Sequence, residues 1–269
     1  RSFHVTGVQT CAFRSATFAL QRLGHDCWPV ATVQLAHHPA HGAWRGRVTP
    51  AGELSSTVEA LAARGVLARA DAVLSGYLAD AEQGPAIEDA VAQVRRANPA
   101  ALWALDPVIG DHGRIYVAPG IVEWLRDAAL PRADLVTPNA FEAGVLTGRS
   151  VTEGSQALAA ARDLQRRGAA TVLVTGVTGA SDRIEMILAA GEGAWRVETP
   201  RIDYPAHGAG DLLAALFLAR VLEGQQPPEA LALAASAVHG VIARSAAVPC
   251  APPFGLDLRL VAGQDEIAA

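Results

Sequence analysis

Six consecutive residues, Ala206-His207-Gly208-Ala209-Gly210-Asp211, stand directly before the apolar run Leu212-Leu213-Ala214-Ala215-Leu216-Phe217-Leu218. Small residues let backbone N–H groups turn toward an anion. The run that follows has no Pro or Gly before Gly224 and reads as a mostly buried helix. The start of a helix offers unpaired N–H groups and a partial positive charge. Asp211 is the carboxylate at that start. An anion cradle with a carboxylate beside it suits phosphoryl transfer, in which the acid activates a hydroxyl. Taken alone, an acid in the first turn of a helix is more often a cap or a dipole partner. The elements around it decide between the two.

Those elements alternate. Val30–Leu35, Ala72–Ser75, Ala101–Leu105, Leu135-Val136 and Thr171–Thr175 read as apolar strands. Leu54–Leu67, Glu82–Ala97, Val122–Ala129 and Glu153–Arg167 read as helices. Asn98-Pro99 ends the second helix and Gly168 the fourth. Ile184–Leu188 and Ala194–Glu198 form a hairpin across Gly191-Glu192-Gly193, and two Ala-rich helices follow near 211–223 and 228–243. The pattern predicts a three-layer α/β/α fold with a mostly parallel sheet covered on both faces, in one domain spanning 1–269. In such sheets, sites lie beyond the C-terminal ends of the strands. Asp106, Thr137-Pro138-Asn139, Thr175-Gly176 and Ser75-Gly76-Tyr77 all fall there. Asn139 and Glu142 also have the spacing of a helix start, with Asn139 as the cap.

Composition narrows the class. The chain has 269 residues and 51% of them are apolar, enough for a full core. Net charge is −5 with both signs spread along the chain, so nucleic acid is not expected as a partner. No 18-residue apolar span and no signal peptide is read, so no membrane is expected either. Cys11, Cys27 and Cys250 are odd in number and far apart. They predict neither a disulfide framework nor a structural zinc site, and they fit a reducing, cytoplasmic setting. His37, His38 and His41 lack cysteine partners at metal spacing and read as a surface loop. No Gly-x-Gly-x-x-Gly opens a βαβ unit, and no P-loop lysine motif occurs.

Several segments, in order, resemble the pyridoxal kinase family of the ribokinase-like superfamily. They are Gln21–Gly24, Trp28-Pro29, Thr32-Val33-Gln34, Ser75–Leu78, Asp106–Gly110, Val117–Gly120, Thr137–Glu142, Asp182–Met186, Gly208–Asp211 and Gln264-Asp265. The resemblance implies a ribokinase-like fold and transfer of the ATP γ-phosphate to the 5′-hydroxymethyl of pyridoxal. It makes Asp211 the base and Gly208, Ala209 and Gly210 the amides around the transferred phosphate. The family usually has Thr at the Ala209 position, a change that keeps a backbone contact and loses a hydroxyl. Thr32, Val33 and Tyr77 would meet pyridoxal. Asp106, Asp111, Tyr116, Thr137, Glu142, Thr175 and His207 would serve ATP. Asp106, Asn139 and Glu142 would serve Mg²⁺ and its waters, and the resemblance also allows a monovalent cation. Many relatives have Lys at the Thr175 position. A homodimer is implied as well.

The resemblance breaks at the N-terminus. Counting back from Ser15, a pyridoxal-contacting Ser becomes Val5, two glycines become Thr10 and Phe13, and an Asn becomes Arg14. The stretch Ser2–Ala12 resembles translated sequencing-adapter read-through, so residues 1 to about 14 are expected to be non-native. Two other functions compete with the first. One is a hydroxymethylpyrimidine kinase of the same superfamily, which presents a similar hydroxymethyl to a similar Asp. The other is a non-catalytic pyridoxal 5′-phosphate binder, suggested by the N-terminus and Thr175.

Overall fold

A computed structural model describes residues 2–8, 12–36, 45–178, 182–248, 258, 260 and 264–268. The expected surface loop at His37, His38 and His41 lies outside them, as do Cys11 and Cys250.

Nine strands form one sheet. Chain order is β1 (Ser2–Val8), β2 (Asp26–Leu35), β3 (Gly46–Val48), β4 (Ala70–Ser75), β5 (Leu102–Leu105), β8 (Leu135–Val136), β9 (Thr171–Thr178), β10 (Arg183–Ala190) and β11 (Gly193–Pro200). Spatial order is β11-β10-β9-β8-β5-β4-β1-β2-β3. The six strands from β9 to β2 run parallel, and β3, β10 and β11 are antiparallel. The expected parallel sheet is therefore its centre, and hairpins finish both edges. β6 (Gly110–Asp111) and β7 (Arg114–Ile115) make a separate two-stranded flap. Its two-residue turn needs positive φ at both central positions, which His112 (48°) and Gly113 (77°) supply.

The segment that departs from the family pattern still forms a strand. β1 lies between β4 and β2, with Val5 in register with Leu74 and Pro29. Parallel pairing uses backbone groups, which every residue of the segment has.

Alternate side chains of the central strands enter two cores. Trp103, Leu105, Val172 and Val174 face one layer, made of α2 (Ala51–Ala63), α3 (Gln83–Ala97), α4 (Ile121–Trp124), α5 (Ala140–Thr147) and α6 (Gly154–Arg166). Ala104, Leu135, Leu173 and Leu188 face α1 (Ala12–Arg22), α7 (Ala209–Leu222), α8 (Pro227–Ala247) and α9 (Gln264–Ala268). The period-two pattern buried on both faces is what covered parallel strands require.

Some helix ends differ from expectation. α2 spans Ala51–Ala63, starting and ending earlier than the expected Leu54–Leu67. The Ser56 and Thr57 hydroxyls donate to the Gly52 and Glu53 carbonyls one turn back, so they lie inside the helix. The helix read over 122–129 is α-helical only to Trp124 and then widens into a π turn over Leu125–Ala129. α8 is long and apolar enough to cross a membrane, which corrects the reading of no such span. In the fold it is a core helix, burying Ala230, Leu231, Ala234, Ala235, Val238 and Val241 with the α7 residues Leu212–Ala219.

Candidate active site

Asp106 follows β5, Thr137 and Asn139 follow β8, and Asp211 stands in the first turn of α7. The chain thus brings residues 105 positions apart to one edge of the sheet, the C-terminal edge of the parallel strands. Burial, and after it the charge of the neighbouring Asp106, raises the pKa of both Glu142 and Asp211.

Local sequence explains how each is held. Asn139 caps α5: its Oδ1 accepts from the Glu142 N–H at 2.9 Å, and Glu142 Oε2 accepts from the Asn139 N–H at 2.8 Å. This is the reciprocal capping box. Glu142 goes further, its Oε1 accepting from the N–H groups of Ile109 (2.9 Å) and Gly110 (3.4 Å). Asn139 Nδ2 donates to the Gly110 carbonyl at 2.9 Å. One cap therefore fixes both the start of α5 and the root of the β6–β7 flap. Thr137 donates its hydroxyl to Asp106 Oδ1 at 3.2 Å.

The acids are strained electrically. Burial pushes the Asp106 carboxyl up to about 7, against the hydrogen bond from Thr137. Glu142 is raised well above the ordinary range by burial and then by Asp106, against three backbone N–H groups. Asp211 is raised well above it by desolvation and then by Asp106, against its own backbone N–H. No basic side chain is among the groups that perturb these three. All 22 basic residues of the sequence are arginines, so no lysine can serve the site.

At α7 the N-cap is Gly208 with φ 90°, a conformation that favours glycine. Gly210 differs: its φ is ordinary and a Cβ there would meet nothing within 4 Å. The fold itself does not demand glycine at 210. The Ala209 amide, expected to face an anion, donates to the Ala206 carbonyl at 3.2 Å. An amide cannot serve both at full strength. His207 lies in the loop before the cap, its amide donating to Pro205 at 3.1 Å.

The remaining residues separate into three groups. Asp111 and Tyr116 sit on or beside the flap. Tyr116 is 55% exposed. Its phenol is nevertheless raised, by desolvation first and then by Glu142, Asp106, Asp211 and Asp111, so it overlooks the acids. Thr175 is hydrogen-bonded through its amide to the Pro138 carbonyl at 2.9 Å and bridges Asn139. A register shift against β10 and a φ of 64° at Gly176 mark a bulge there, which re-aims the end of β9. Thr32, Val33 and Tyr77 form the third group, near β2 and β4. The Thr32 hydroxyl donates to the Tyr77 carbonyl at 2.8 Å. Val33 is 1% exposed and belongs to the sheet wall. Tyr77 is half-buried, which raises its phenol.

Sequence reasoning did not find Gln83, whose buried carboxamide ties this third group together. Its amide nitrogen donates to Thr32 and Thr49, which are distant in sequence, so the sequence alone does not mark it. A groove of about 550 Å³ between α6 and the outer strands β10 and β11 contains none of the expected residues; Glu185, Trp195 and Arg196 line it.

A three-layer sheet fold with acids gathered near a helix start is an arrangement that small-molecule kinases can use. Comparison with known proteins agrees. Residues 55–250 match the phosphomethylpyrimidine kinase family. Pyridoxal kinase PdxY of Rubrobacter xylanophilus is 44% identical over 260 residues, 95% of this chain and 88% of that one. The enzyme of the same name from Corynebacterium diphtheriae is 41% identical over 85% of this chain and 82% of that one. Among solved structures, pyridoxal kinase from Leishmania donovani in complex with ADP and pyridoxine superposes with TM-score 0.90 at 26% identity, covering 98% of this chain and 95% of that one. The chain belongs to the phosphomethylpyrimidine kinase family of ribokinase-like enzymes, and within it to the pyridoxal kinases.

Proposed function

We propose that this enzyme transfers the γ-phosphate of ATP to the 5′-hydroxymethyl of pyridoxal, yielding pyridoxal 5′-phosphate. The observation that carries the reading is Asp211, held in the first turn of α7 with its pKa raised beside Asp106. A carboxylate with a raised pKa is a stronger base for a hydroxyl proton than an ordinary one. Behind it, the Gly208 and Gly210 amides and the positive end of α7 receive charge on the transferred phosphate. Thr32, Val33 and Tyr77 form the vitamin side. Asp111, Tyr116, Thr137, Thr175 and His207 surround the nucleotide phosphates.

The donor set suits magnesium. Asp106, Asn139 and Glu142 offer hard oxygen, Asp106 and Glu142 are buried, and no cation is among the groups that shift them or Asp211. Among the described residues no three His, Cys, Asp or Glu side chains converge as direct ligands. Both Glu142 oxygens are engaged by backbone amides. Asp106, Asn139 and Glu142 would hold such an ion through its waters. When bound, magnesium neutralises phosphate charge. A monovalent cation fits the same need, given the absence of lysine. The enzyme works as one cytoplasmic domain and as a homodimer in this reading.

The rival substrate is hydroxymethylpyrimidine, a pyrimidine alcohol, and the matched family carries the name phosphomethylpyrimidine kinase. Parallel assays with ATP and each alcohol separate them, with product read by mass spectrometry. Phosphorylated pyridoxal is the expected product. Phosphorylation of the pyrimidine alone would transfer the reading to that substrate. Binding of the vitamer without ATP consumption would make the protein a carrier.

A further inference from the structure

Gln83 opens α3 and is 1% exposed. Its carboxamide uses every hydrogen-bonding site it has. Oε1 accepts from the amides of Ala79 (3.0 Å) and Asp80 (3.4 Å). Nε2 donates to the carbonyls of Thr32 and Thr49, each at 2.8 Å. The three segments so joined are distant in sequence: β2, the approach to α2, and the loop after β4. Thr32 then reaches back, its hydroxyl donating to the Tyr77 carbonyl. The Thr32 carbonyl also accepts from the Thr49 amide at 2.9 Å. The result is a closed ring from Gln83 through Thr32 and Tyr77 to Ala79 and back. It contains no formal charge, so its geometry does not respond to magnesium or ATP.

We propose that Gln83 is a positioning residue for pyridoxal, setting the separation of Tyr77 from β2 and hence the width of the slot for the ring. The proposal rests on the pyridoxal kinase reading. Only an amide fits the position. A glutamate would turn a lone pair toward the Thr32 and Thr49 carbonyls, and a methionine would take a donor from these two buried residues and the acceptor from the Ala79 and Asp80 amides.

The test compares Gln83→Met and Gln83→Glu with the unaltered enzyme, reading KM for pyridoxal and for ATP separately. The unaltered enzyme run alongside tests the underlying reading. If it fails to phosphorylate pyridoxal, that reading fails, whatever the variants do. Given an active parent, Gln83→Met is expected to raise KM for pyridoxal by about 10-fold or more, with KM for ATP within about twofold. Gln83→Glu is expected to show the same rise at pH 8 and partial recovery at pH 6, where a protonated carboxyl can donate one hydrogen bond again. Should the Met variant not fold, the Glu variant and its pH profile carry the test. Equal changes in both KM values, an unchanged KM for pyridoxal, or failure of both variants to fold would assign Gln83 to the fold alone and overturn the proposal.

Discussion

The two sides of the site are built from opposite materials. The side proposed for phosphate gathers Asp106, Glu142 and Asp211; desolvation raises all three carboxyls, the charge of Asp106 raises the other two further, and no basic partner is among the groups that shift them. The vitamin side joins Thr32, Tyr77 and Gln83 through neutral hydrogen bonds that are already complete. The first is unfinished without positive charge. The second is finished before any ligand arrives. Charged chemistry needs a centre that changes when ions bind, whereas recognition of a flat neutral ring needs a slot of constant width. Substitutions on the phosphate side should therefore alter turnover and cation response, and those on the vitamin side should alter pyridoxal affinity.

The largest effect that would break this contrast is at Asp106. Asp106→Asn removes the charge that raises both other acids. Turnover at saturating substrates should fall on the order of 100-fold, the scale of losing one well-placed electrostatic group. The magnesium dependence of thermal stability should shrink with it. A variant that keeps its magnesium-dependent melting shift would place the ion elsewhere.

Next come the two glycines of α7. Gly210→Ala should leave stability level or slightly higher, because Ala favours helix by about 0.5–1 kcal/mol. Turnover should drop about 10-fold or more, as the methyl enters the open space before the helix start. Gly208→Ala should do the reverse in stability, costing about 1–2 kcal/mol at its positive φ. Paired melting and rate measurements separate them. Full activity in Gly210→Ala would show that no ligand needs that space.

The acids also set a pH dependence. Asp106 binds its proton more tightly folded, near 7, than unfolded, near 3.8. The folded state thus holds more protons across that window, so metal-free stability should fall as pH rises through it and stay low above it. Glu142 and Asp211 shift in the same direction. In chelator, Tm should be lower at pH 8 than at pH 5.5 by about 5 °C or more. Added magnesium should restore more at pH 8 than at pH 5.5. Equal melting curves in chelator at both pH values would contradict the stored repulsion.

The smallest effect is on the vitamin side. Thr32→Val removes one hydroxyl and leaves the Tyr77 carbonyl with one donor fewer. KM for pyridoxal should rise about fivefold, the scale of a neutral hydrogen bond of roughly 1 kcal/mol. The kcat should stay within a factor of about two. A kcat loss exceeding the KM change would sharpen the picture by giving Thr32 a part in the chemistry.

Much of the phosphate side was legible because its signals are local. Gly208–Asp211 before a buried run announces a helix start, and Asn139 with Glu142 three residues on announces a capping box. The strand ends before Asp106 and Thr137 followed from the apolar rhythm, whereas β9 runs past the expected end at Thr175 to Thr178. The flap was not legible, since two-residue strands carry no periodicity; its only trace is the His112-Gly113 turn. The Ala209 amide's contact with the Ala206 carbonyl was not legible either, because it depends on the path of the preceding loop. Gln83 was invisible for a stronger reason: its partners at Thr32 and Thr49 come from other elements. Mutual charge among Asp106, Glu142 and Asp211 likewise exists only once the chain has folded.

Asp211→Asn tests the central claim most directly, with turnover and metal-free melting temperature measured on the same preparation. Removing the base should lower turnover by about 10²–10⁴-fold. Removing its repulsion with Asp106 should leave the melting temperature level or raise it at pH 8. Loss of activity in an equally or more stable protein is the expected result. A variant that keeps more than about a third of the turnover, or that loses activity only because it melts earlier, would contradict the account.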